Sequence, residues 1–423
     1  MGPPRPAPKA LVAERISGHR DPLSVVRARG LHWRGAPVLE LYYEPGDPHS
    51  HLCAQLLPGL AERVRAPIAI RLVGESAPED YPERERQRAY ALTDAQRIAP
   101  ARGLGFPVPA SLPDAGSLRA AAAALASAAD HAIFQDVEPK IADALFTGES
   151  VTFVGAHPDV DELLIANAAR RLRLGHNLPG VWQFDGDWFW GVDRLNYLEA
   201  RLRAQGLLDG TGALTALDPQ QAALPSYDAA LPPLEFFFSF RSPYSYLAAV
   251  ELQRFHREWP SGVVVRPVLP MAMRDLPVPR VKRMYTVRDV RREADRLGVP
   301  FGRIVDPIGD GARRCLQVFP LAGSTERQLE LLVSAARGIF AEGIDVATDD
   351  GLRYVVERAG LSWADAHARV AQQDGIEYAA DNRDELLAAG LWGVPCYRVG
   401  AFSAWGQDRF WMLREILRRF TAA

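Results

Sequence analysis

The segment RSPYSYLAAVEL at residues 241–252 combines a serine, a proline and a run of apolar residues at helical spacing. Serine is favoured as the cap of a helix N-terminus, and proline fits the first helical position, where its missing N–H would have no partner anyway. The preceding stretch, LPPLEFFFSF at 231–240, is apolar and aromatic, as in a buried strand. The sequence therefore predicts a strand that leads directly into a helix that begins at proline.

The same pattern occurs earlier in the chain. PVLELYYEP at 37–45 predicts a buried strand, and GDPHSHLCAQLL at 46–57 follows it as a proline-started helix. A second strand is predicted after each helix, PIAIRLV at 67–73 and GVVVRPVL at 262–269. A spacing of 195 residues relates the two copies, and it separates Pro48 from Pro243, Tyr90 from Tyr285 and Asp94 from Asp289.

Both copies continue with a helical middle, Ala-rich at 117–146 and amphipathic at 325–343, and end in similar stretches at 178–202 and 394–417. Strand, helix, strand, helical insert, two strands and a helix is the element order of a thioredoxin-like fold with a helical insertion. The predicted fold class is therefore α/β, with two tandem thioredoxin-like domains that each carry a helical insertion. The predicted segments are an N-terminal arm at 1–36, a first domain at 37–207, a linker at 208–233 and a second domain at 234–423.

Composition narrows the classes of function. A net charge of −3 gives no broad attraction to nucleic acid or to an anionic membrane. No run of 18 apolar residues indicates a membrane span, and the first 25 residues lack the apolar core of a secretory signal. The three cysteines, Cys53, Cys315 and Cys396, are far apart, which is typical of a reducing compartment. We expect a cytoplasmic protein with a small-molecule substrate.

Four motifs of the second domain resemble those of the 2-hydroxychromene-2-carboxylate isomerase and kappa-class glutathione transferase family. They are SPYS at 242–245, KRMYTVRD at 282–289, VP at 394–395 and GQDR at 406–409. The resemblance covers roughly 234–420 and, more faintly, about 37–203. It implies a DsbA-like thioredoxin fold, glutathione as the cofactor, and contact between Ser242 and the glutathione sulfur.

Ser242 stands where redox relatives carry the first cysteine of a Cys-Pro-x-Cys motif, so dithiol exchange cannot occur at this place. Its hydroxyl and the partial charge of ~+0.5 at the helix N-terminus can instead stabilise a thiolate that a cofactor supplies. The plain structural alternative is that Ser242 only caps the helix. We predict that Ser242 is the catalytic residue of a glutathione-dependent isomerase acting on a small unsaturated or aromatic-derived organic acid.

Five residues are predicted to bind the cofactor, namely Val394, Pro395, Gln407, Asp408 and Lys282. The resemblance implies a cis bond before Pro395, which leaves the Val394 backbone free to pair with a peptide. Amides of Gln407 and Asp408 at a helix start can hold the γ-glutamyl carboxylate, while the Asp408 side chain pairs with the α-amino group. Lys282 can reach a carboxylate. The alternatives are an ordinary trans turn, a first-turn aspartate and a solvated lysine.

The sequence leaves three other functions open: a kappa-type glutathione transferase or peroxidase, a non-catalytic thioredoxin-fold binding protein, and a thiol oxidoreductase that acts through Cys396. Free cysteines are usually buried small apolar residues, and we predict this for Cys396. Arg274 and Asp275 stand where the family often has an asparagine that contacts the substrate. This departure leaves the substrate and the reaction open.

The first domain is predicted to keep the scaffold and to lack the chemistry. Asp47 can cap a helix, but its carboxylate would repel a thiolate by a few kcal/mol at an effective dielectric of ~20. Val192 replaces the polar residue found at Gln407. We expect this domain to pack on the second as an in-chain pseudo-dimer, with homodimerisation left open. Asp47, His49 and His51 lack ligand spacing, so no metal site is predicted.

Overall fold

The structure is a computed structural model of the 423-residue chain. It describes residues 4, 11–12, 37–76, 78, 82–108, 110–128, 131–150, 157–214, 224–227, 229–276 and 278–422. The described residues form two compact units, one between residues 37 and 224 and the other made of strand β1 (Leu11–Val12) and the residues from 225 onward. The rest of the predicted arm, apart from residue 4, lies outside the described residues, as do 215–223 and 228 of the predicted linker.

The N-terminal unit is built on a mixed sheet with strand order β3-β2-β4-β5. Strands β2 and β3 are parallel, and β4 runs antiparallel to both β2 and β5. All of β2 is buried, which accounts for its nearly continuous apolar composition. The elements are β2 (Leu39–Tyr43), α1 (Pro48–Ala54), α2 (Leu57–Arg63), β3 (Ile68–Leu72), α3 (Arg84–Ala101), α4 (Ala115–Ser127), α5 (His131–Thr147), α6 (Val160–Leu174), β4 (Val181–Phe184), β5 (Asp187–Trp190) and α7 (Leu195–Ala204).

The C-terminal unit has a mixed sheet with strand order β10-β9-β6-β7. Strands β6 and β7 are parallel, and β9 runs antiparallel to both β6 and β10. Its elements are β6 (Leu234–Phe238), α8 (Pro243–Phe255), β7 (Val263–Pro267), α9 (Arg280–Leu297), β8 (Arg303–Ile304), α10 (Asp310–Val318), α11 (Thr325–Arg337), α12 (Asp349–Arg358), α13 (Trp363–Arg369), α14 (Asp374–Ala388), β9 (Cys396–Val399), β10 (Phe402–Trp405) and α15 (Phe410–Ala422).

The two four-stranded sheets share strand order and strand directions. In each unit a parallel strand–helix–strand unit comes first, helices follow, and an antiparallel hairpin completes the sheet. The hairpin of the N-terminal unit turns at Asp185 and Gly186, whose φ angles of 49° and 79° fit the turn type that favours Asp-Gly. In the C-terminal unit, α9–α14 form the helical insertion that the sequence predicts.

The two middle stretches predicted to be helical are helical in the described residues, and one detail of the predicted arm needs correction. The Ala-rich stretch predicted as helical at 117–146 contains two helices, α4 and α5, with residues 129–130 outside the described part. The stretch at 325–343 is α11 followed by a π-helical turn at Gly338–Glu342. Residues Leu11–Val12 of the predicted loose arm pair with β8 as a short antiparallel strand. Among the described residues, no helix is both long enough and apolar enough to cross a membrane.

Aromatic packing fixes the central strand of the C-terminal sheet. Phe236 stacks on Tyr397 of β9 at a ring distance of 5.6 Å, and Phe238 contacts Phe319 of the insertion at 5.5 Å. All these rings are buried. Because β6 and β7 are parallel, their carboxyl ends lie at the same edge of the sheet, and α8 begins at that edge. The core therefore positions the start of α8.

Candidate active site

The start of α8 has the geometry that the sequence predicts. Ser242 is the N-cap, with extended backbone angles, and Pro243 occupies the first helical turn. The Ser242 hydroxyl oxygen accepts a hydrogen bond from the Ser245 N–H at 3.1 Å and donates to the Val394 carbonyl at 3.4 Å. Ser242, Pro243 and Tyr244 are half-buried. The helix start is therefore accessible from outside and is joined to a second part of the predicted site.

That second part is the loop before β9. The Val394–Pro395 peptide bond is cis, as predicted. The Pro395 carbonyl accepts a hydrogen bond from the Gly406 N–H at 2.9 Å, and the φ of 110° at Gly406 favours glycine. Val394 is half-buried, and its N–H has no acceptor among the described residues. The Val394 backbone therefore offers a hydrogen-bond donor beside the Ser242 hydroxyl.

The GQDR motif forms a short 3-10 turn, Gln407–Arg409, directly before α15. This turn packs against α8, and Gly406 directly before it binds the Pro395 carbonyl, so the turn adjoins the loop that the Ser242 hydroxyl contacts. Gln407 is buried, and its side-chain nitrogen has no hydrogen-bond partner among the described residues. The Asp408 carboxylate lies 3.3 Å from the buried guanidinium of Arg409. The predicted capture of a zwitterion by Gln407 and Asp408 stays a prediction.

Helix α9 carries Lys282 and is tied to the start of α8. The buried carboxylate of Asp289 accepts hydrogen bonds from the Tyr244 hydroxyl at 2.7 Å and from the Tyr285 hydroxyl at 3.3 Å, and Arg292 lies 3.1 Å away. Lys282 is half-buried and lies three residues before Tyr285, on the same side of α9. Sequence reasoning missed the Tyr244–Asp289 bond, although the recurrence of a Tyr/Asp pair at a spacing of 195 was a signal.

Arg274 is a second residue that sequence reasoning missed, because the sequence shows only that it stands where the family often has an asparagine. Its Nη2 donates to the Trp392 carbonyl at 3.0 Å, two residues before Val394. The Trp392 ring packs on the Trp405 ring at a centroid distance of 4.8 Å. Trp405 immediately precedes Gly406, whose N–H binds the Pro395 carbonyl of the loop. Nothing local in the sequence predicts this bond, because it joins residues 118 positions apart.

Cys396 has the character expected of a buried small residue. Its side chain is fully buried, and its Sγ donates to the Gly393 carbonyl at 2.9 Å. Burial raises the pKa of the Cys396 thiol well above its usual value. A thiolate is the reactive form of cysteine. These observations argue against the alternative in which Cys396 acts as the redox nucleophile.

The equivalent region of the N-terminal unit is built differently. Asp47 is the N-cap of α1, and its Oδ2 accepts from the Ser50 N–H at 2.7 Å and from the Ser50 hydroxyl at 2.6 Å. The strand registers place Gly180 where the other unit has Pro395. A Cβ added at Gly180 would lie 3.0 Å from Ser50 N and 3.1 Å from Asp47 Oδ2. Close packing therefore brings this loop against the carboxylate cap.

A pocket beside Asp47 is lined by three acidic residues and one basic residue among other side chains. The charged lining residues are Glu44, Asp47, Glu75 and Arg88. Burial, and next the charge of Asp47, raise the pKa of Glu44 to about 8. The nearby Asp193, which corresponds to Asp408, is paired with Arg102 at 3.3 Å. The carboxylates around Asp47 therefore disfavour the binding of a thiolate at the start of α1.

The two histidines of the DPHSH stretch point to different partners. His49 Nε2 lies 3.5 Å from Asp94, whereas His51 Nδ1 lies 2.9 Å from the buried Glu138. Within the described residues, no group of three or more His, Cys, Asp or Glu side chains has the arrangement needed to hold a metal ion.

Replacing Glu44 with glutamine should change the pH dependence of stability. Between its ordinary pKa of 4.5 and the folded value of about 8, the folded chain keeps a proton that the unfolded chain loses, so stability falls as pH rises. Glu44→Gln removes this loss. The free energy of unfolding of the variant relative to that of the parent should therefore rise by about 1–2 kcal/mol between pH 5 and pH 8, a figure that already includes a reduction for solvent screening. Thermal unfolding at both pH values measures the gain.

The exposed Glu62 on α2 provides the matched control, since Glu62→Gln removes the same charge from the same unit. This control should show no pH-dependent gain. A difference between Glu44→Gln and the parent that is the same at pH 5 and pH 8 would contradict the assignment.

The sheet order, the helical insertion, the serine cap and the cis-proline loop together define the C-terminal unit as a thioredoxin-type domain. Residues 233–418 match the family model of the DSBA-like thioredoxin domain. The C-terminal part of the chain is thus an α/β domain with the DsbA-like thioredoxin fold.

Two curated proteins are similar to 44% of the chain, and both are named 2-hydroxychromene-2-carboxylate isomerase. The protein from Pseudomonas putida is 24% identical over 199 residues, which is 44% of this chain and 94% of that protein. The protein from Sphingobium xenophagum is 29% identical over 199 residues, which is 44% of this chain and 97% of that protein. A solved structure of SeMet 2-hydroxychromene-2-carboxylate isomerase is 22% identical and covers 44% of this chain and 94% of its own, with a TM-score of 0.39.

Proposed function

We propose that the C-terminal unit is a glutathione-dependent isomerase that acts on a small unsaturated or aromatic-derived organic acid. The observation that carries the proposal is the half-exposed start of α8, where the Ser242 hydroxyl lies against the cis-proline loop. The names of the two similar curated proteins support the reaction class. When bound, glutathione supplies a nucleophilic thiolate that can add reversibly to an unsaturated carbon.

The residues at the start of α8 fit a thiolate. The N-terminus of this 13-residue helix carries a partial positive charge, which favours an anion bound at that end of the helix. The Ser242 hydroxyl donates at present to the Val394 carbonyl over 3.4 Å, which is a long bond for a hydroxyl. Exchange of this weak acceptor for a charged sulfur strengthens the hydrogen bond. Ser242 thus lowers the free energy of the thiolate relative to the thiol.

The residues around the loop fit a short peptide. Among the described residues, the Val394 N–H has no acceptor, and the Val394 carbonyl accepts a hydrogen bond only from the weakly held Ser242 hydroxyl. Backbone groups of this kind bind an extended peptide by strand addition. We assign the cysteinyl part of glutathione to Val394 and Pro395, the γ-glutamyl end to Gln407 and Asp408, and a carboxylate to Lys282.

We further propose that the N-terminal unit is a second copy of the same domain without its chemistry. The shared sheet order, the helix cap at Asp47 and the Tyr/Asp pair at Tyr90 and Asp94 support common descent. The carboxylate at Asp47 and the acidic pocket beside it oppose thiolate binding. The packing of this unit on the second one as a pseudo-dimer stays a prediction.

Calorimetric titration with glutathione tests the proposal, and Asp408→Ala is the most informative variant. Loss of the carboxylate that faces the glutathione α-amino group should weaken binding about tenfold, because a charge-assisted hydrogen bond is lost. Asp47→Ala removes a carboxylate from the N-terminal unit, at the helix cap that corresponds to Ser242, and should leave the affinity unchanged.

The parent protein should bind one glutathione per chain. No binding, or a stronger effect from Asp47→Ala than from Asp408→Ala, would contradict the proposal. A reaction assay separates the isomerase from the transferase alternative, because an isomerase returns glutathione in the amount added.

A further inference from the structure

Arg274 lies at the same sheet edge as Ser242. Strands β6 and β7 are parallel neighbours, so the segment that follows β7 emerges where β6 leads into α8. This segment makes a single 3-10 turn at Met271–Met273 and continues into Arg274. The bond from Arg274 Nη2 to the Trp392 carbonyl then fixes the guanidinium at the cis-proline loop, and the Ser242 hydroxyl contacts the same loop at the Val394 carbonyl.

The surroundings of Arg274 combine a cation with apolar surface. Arg274 is half-buried, as are Met271 and Met273 in the preceding turn. Only Trp405 of the tryptophan pair is half-buried; its ring packs at 4.8 Å on the buried ring of Trp392, whose carbonyl anchors the guanidinium. A planar guanidinium offers forked donors that match the two oxygens of a carboxylate, and aromatic rings suit the flat body of an unsaturated acid.

We propose that Arg274 binds a carboxylate at the Ser242 site and so selects anionic ligands. The inference rests on the proposed function and names the group that recognises the acid. The carboxylate has two sources with the same chemistry, the glycyl end of glutathione and the acid group of the second substrate. The next residue, Asp275, is acidic, but its side chain is exposed and its backbone is left-handed, with a φ of 56°. Of these two neighbouring charges, the half-buried one is therefore the guanidinium of Arg274.

Two pairs of probes separate the sources in calorimetric titrations of the full chain. Glutathione is compared with its glycyl ethyl ester, and cinnamate is compared with cinnamamide in the presence of saturating glutathione. We expect the parent protein to bind the free carboxylate of each pair about tenfold more tightly than the ester or amide. Arg274→Met should abolish this preference for one of the two pairs. Arg274→Lys retains the charge and should restore part of the preference, which shows that the effect is not a general loss of folding.

Arg254→Met is the matched control, because Arg254 is exposed near the far end of α8, about 18 Å along the helix axis from Ser242. Loss of the glutathione preference assigns Arg274 to the glycyl carboxylate, and loss of the cinnamate preference assigns it to the substrate acid. Equal preferences in the parent and Arg274→Met overturn the inference. Failure of the parent to bind glutathione overturns the proposed function instead, and the cinnamate comparison without glutathione then still tests Arg274.

Discussion

Replacement of Ser242 by alanine should lower turnover with glutathione about 100-fold. The thiol of bound glutathione should then no longer ionise at neutral pH. Loss of one preorganised donor to a developing or full negative charge typically has an effect of this size. The same change removes the cap that accepts the Ser245 N–H at 3.1 Å, which costs about 1 kcal/mol of stability. Steady-state kinetics and thermal unfolding measure the two effects separately.

Two further variants distinguish catalysis from capping at this position. Glycine at an N-cap costs only a few tenths of a kcal/mol relative to serine, so Ser242→Gly should be nearly as stable as the parent and as inactive as Ser242→Ala. Ser242→Thr retains a hydroxyl and should recover much of the activity. Full activity in Ser242→Gly would show that Ser242 only caps α8.

Replacement of Asp289 by alanine should destabilise the C-terminal unit by about 3 kcal/mol. The Asp289 side chain is fully buried and accepts the Tyr244 and Tyr285 hydroxyls, with Arg292 3.1 Å away. Its removal leaves the two tyrosine hydroxyls and the Arg292 guanidinium without this acceptor. The loss of stability is larger than for a solvent-exposed hydrogen bond, because these groups are partly or fully removed from water. Because the Tyr244 bond ties α9 to the start of α8, the affinity for glutathione should fall as well.

Asp94 provides a control, because it is the buried aspartate at the corresponding position of the other unit. Its carboxylate accepts from the Tyr90 hydroxyl at 3.1 Å and lies 3.5 Å from His49. Asp94→Ala should destabilise its own unit while the affinity for glutathione stays at the parent value. Denaturant unfolding and calorimetry measure both quantities. A loss of less than 1 kcal/mol in Asp289→Ala, or an equal loss of affinity in Asp94→Ala, would show that the Asp289 network does not support the site.

The parts of the fold that local chemistry determines could be predicted from the sequence. The Ser242 cap depends on a hydroxyl at the residue before Pro243, and both can be recognised in four letters of sequence. The buried β6 strand is recognisable from its aromatic run, and its antiparallel neighbour β9 from the resemblance around Pro395. These features need no knowledge of distant contacts.

Contacts between distant side chains could not be predicted in the same way. The Arg274–Trp392 bond depends on how the turn after β7 meets the loop before β9, and no periodicity in either segment encodes that meeting. The raised pKa of Glu44 likewise arises from burial beside Asp47, which only the packed unit shows. The helical character of 117–146 is predictable, but the break between α4 and α5 is not, because alanine favours helix throughout and marks no boundary.

Ultraviolet absorbance of the bound thiolate measures whether the start of α8 lowers the free energy of a glutathione thiolate. Titration of the protein–glutathione complex with pH should show the bound thiol ionising with a pKa about 1–2 below the value of about 8.5 for a free thiol. Ser242→Ala should return the pKa towards that of the free thiol. A bound thiol that ionises as it does in free solution in the parent protein would contradict the account.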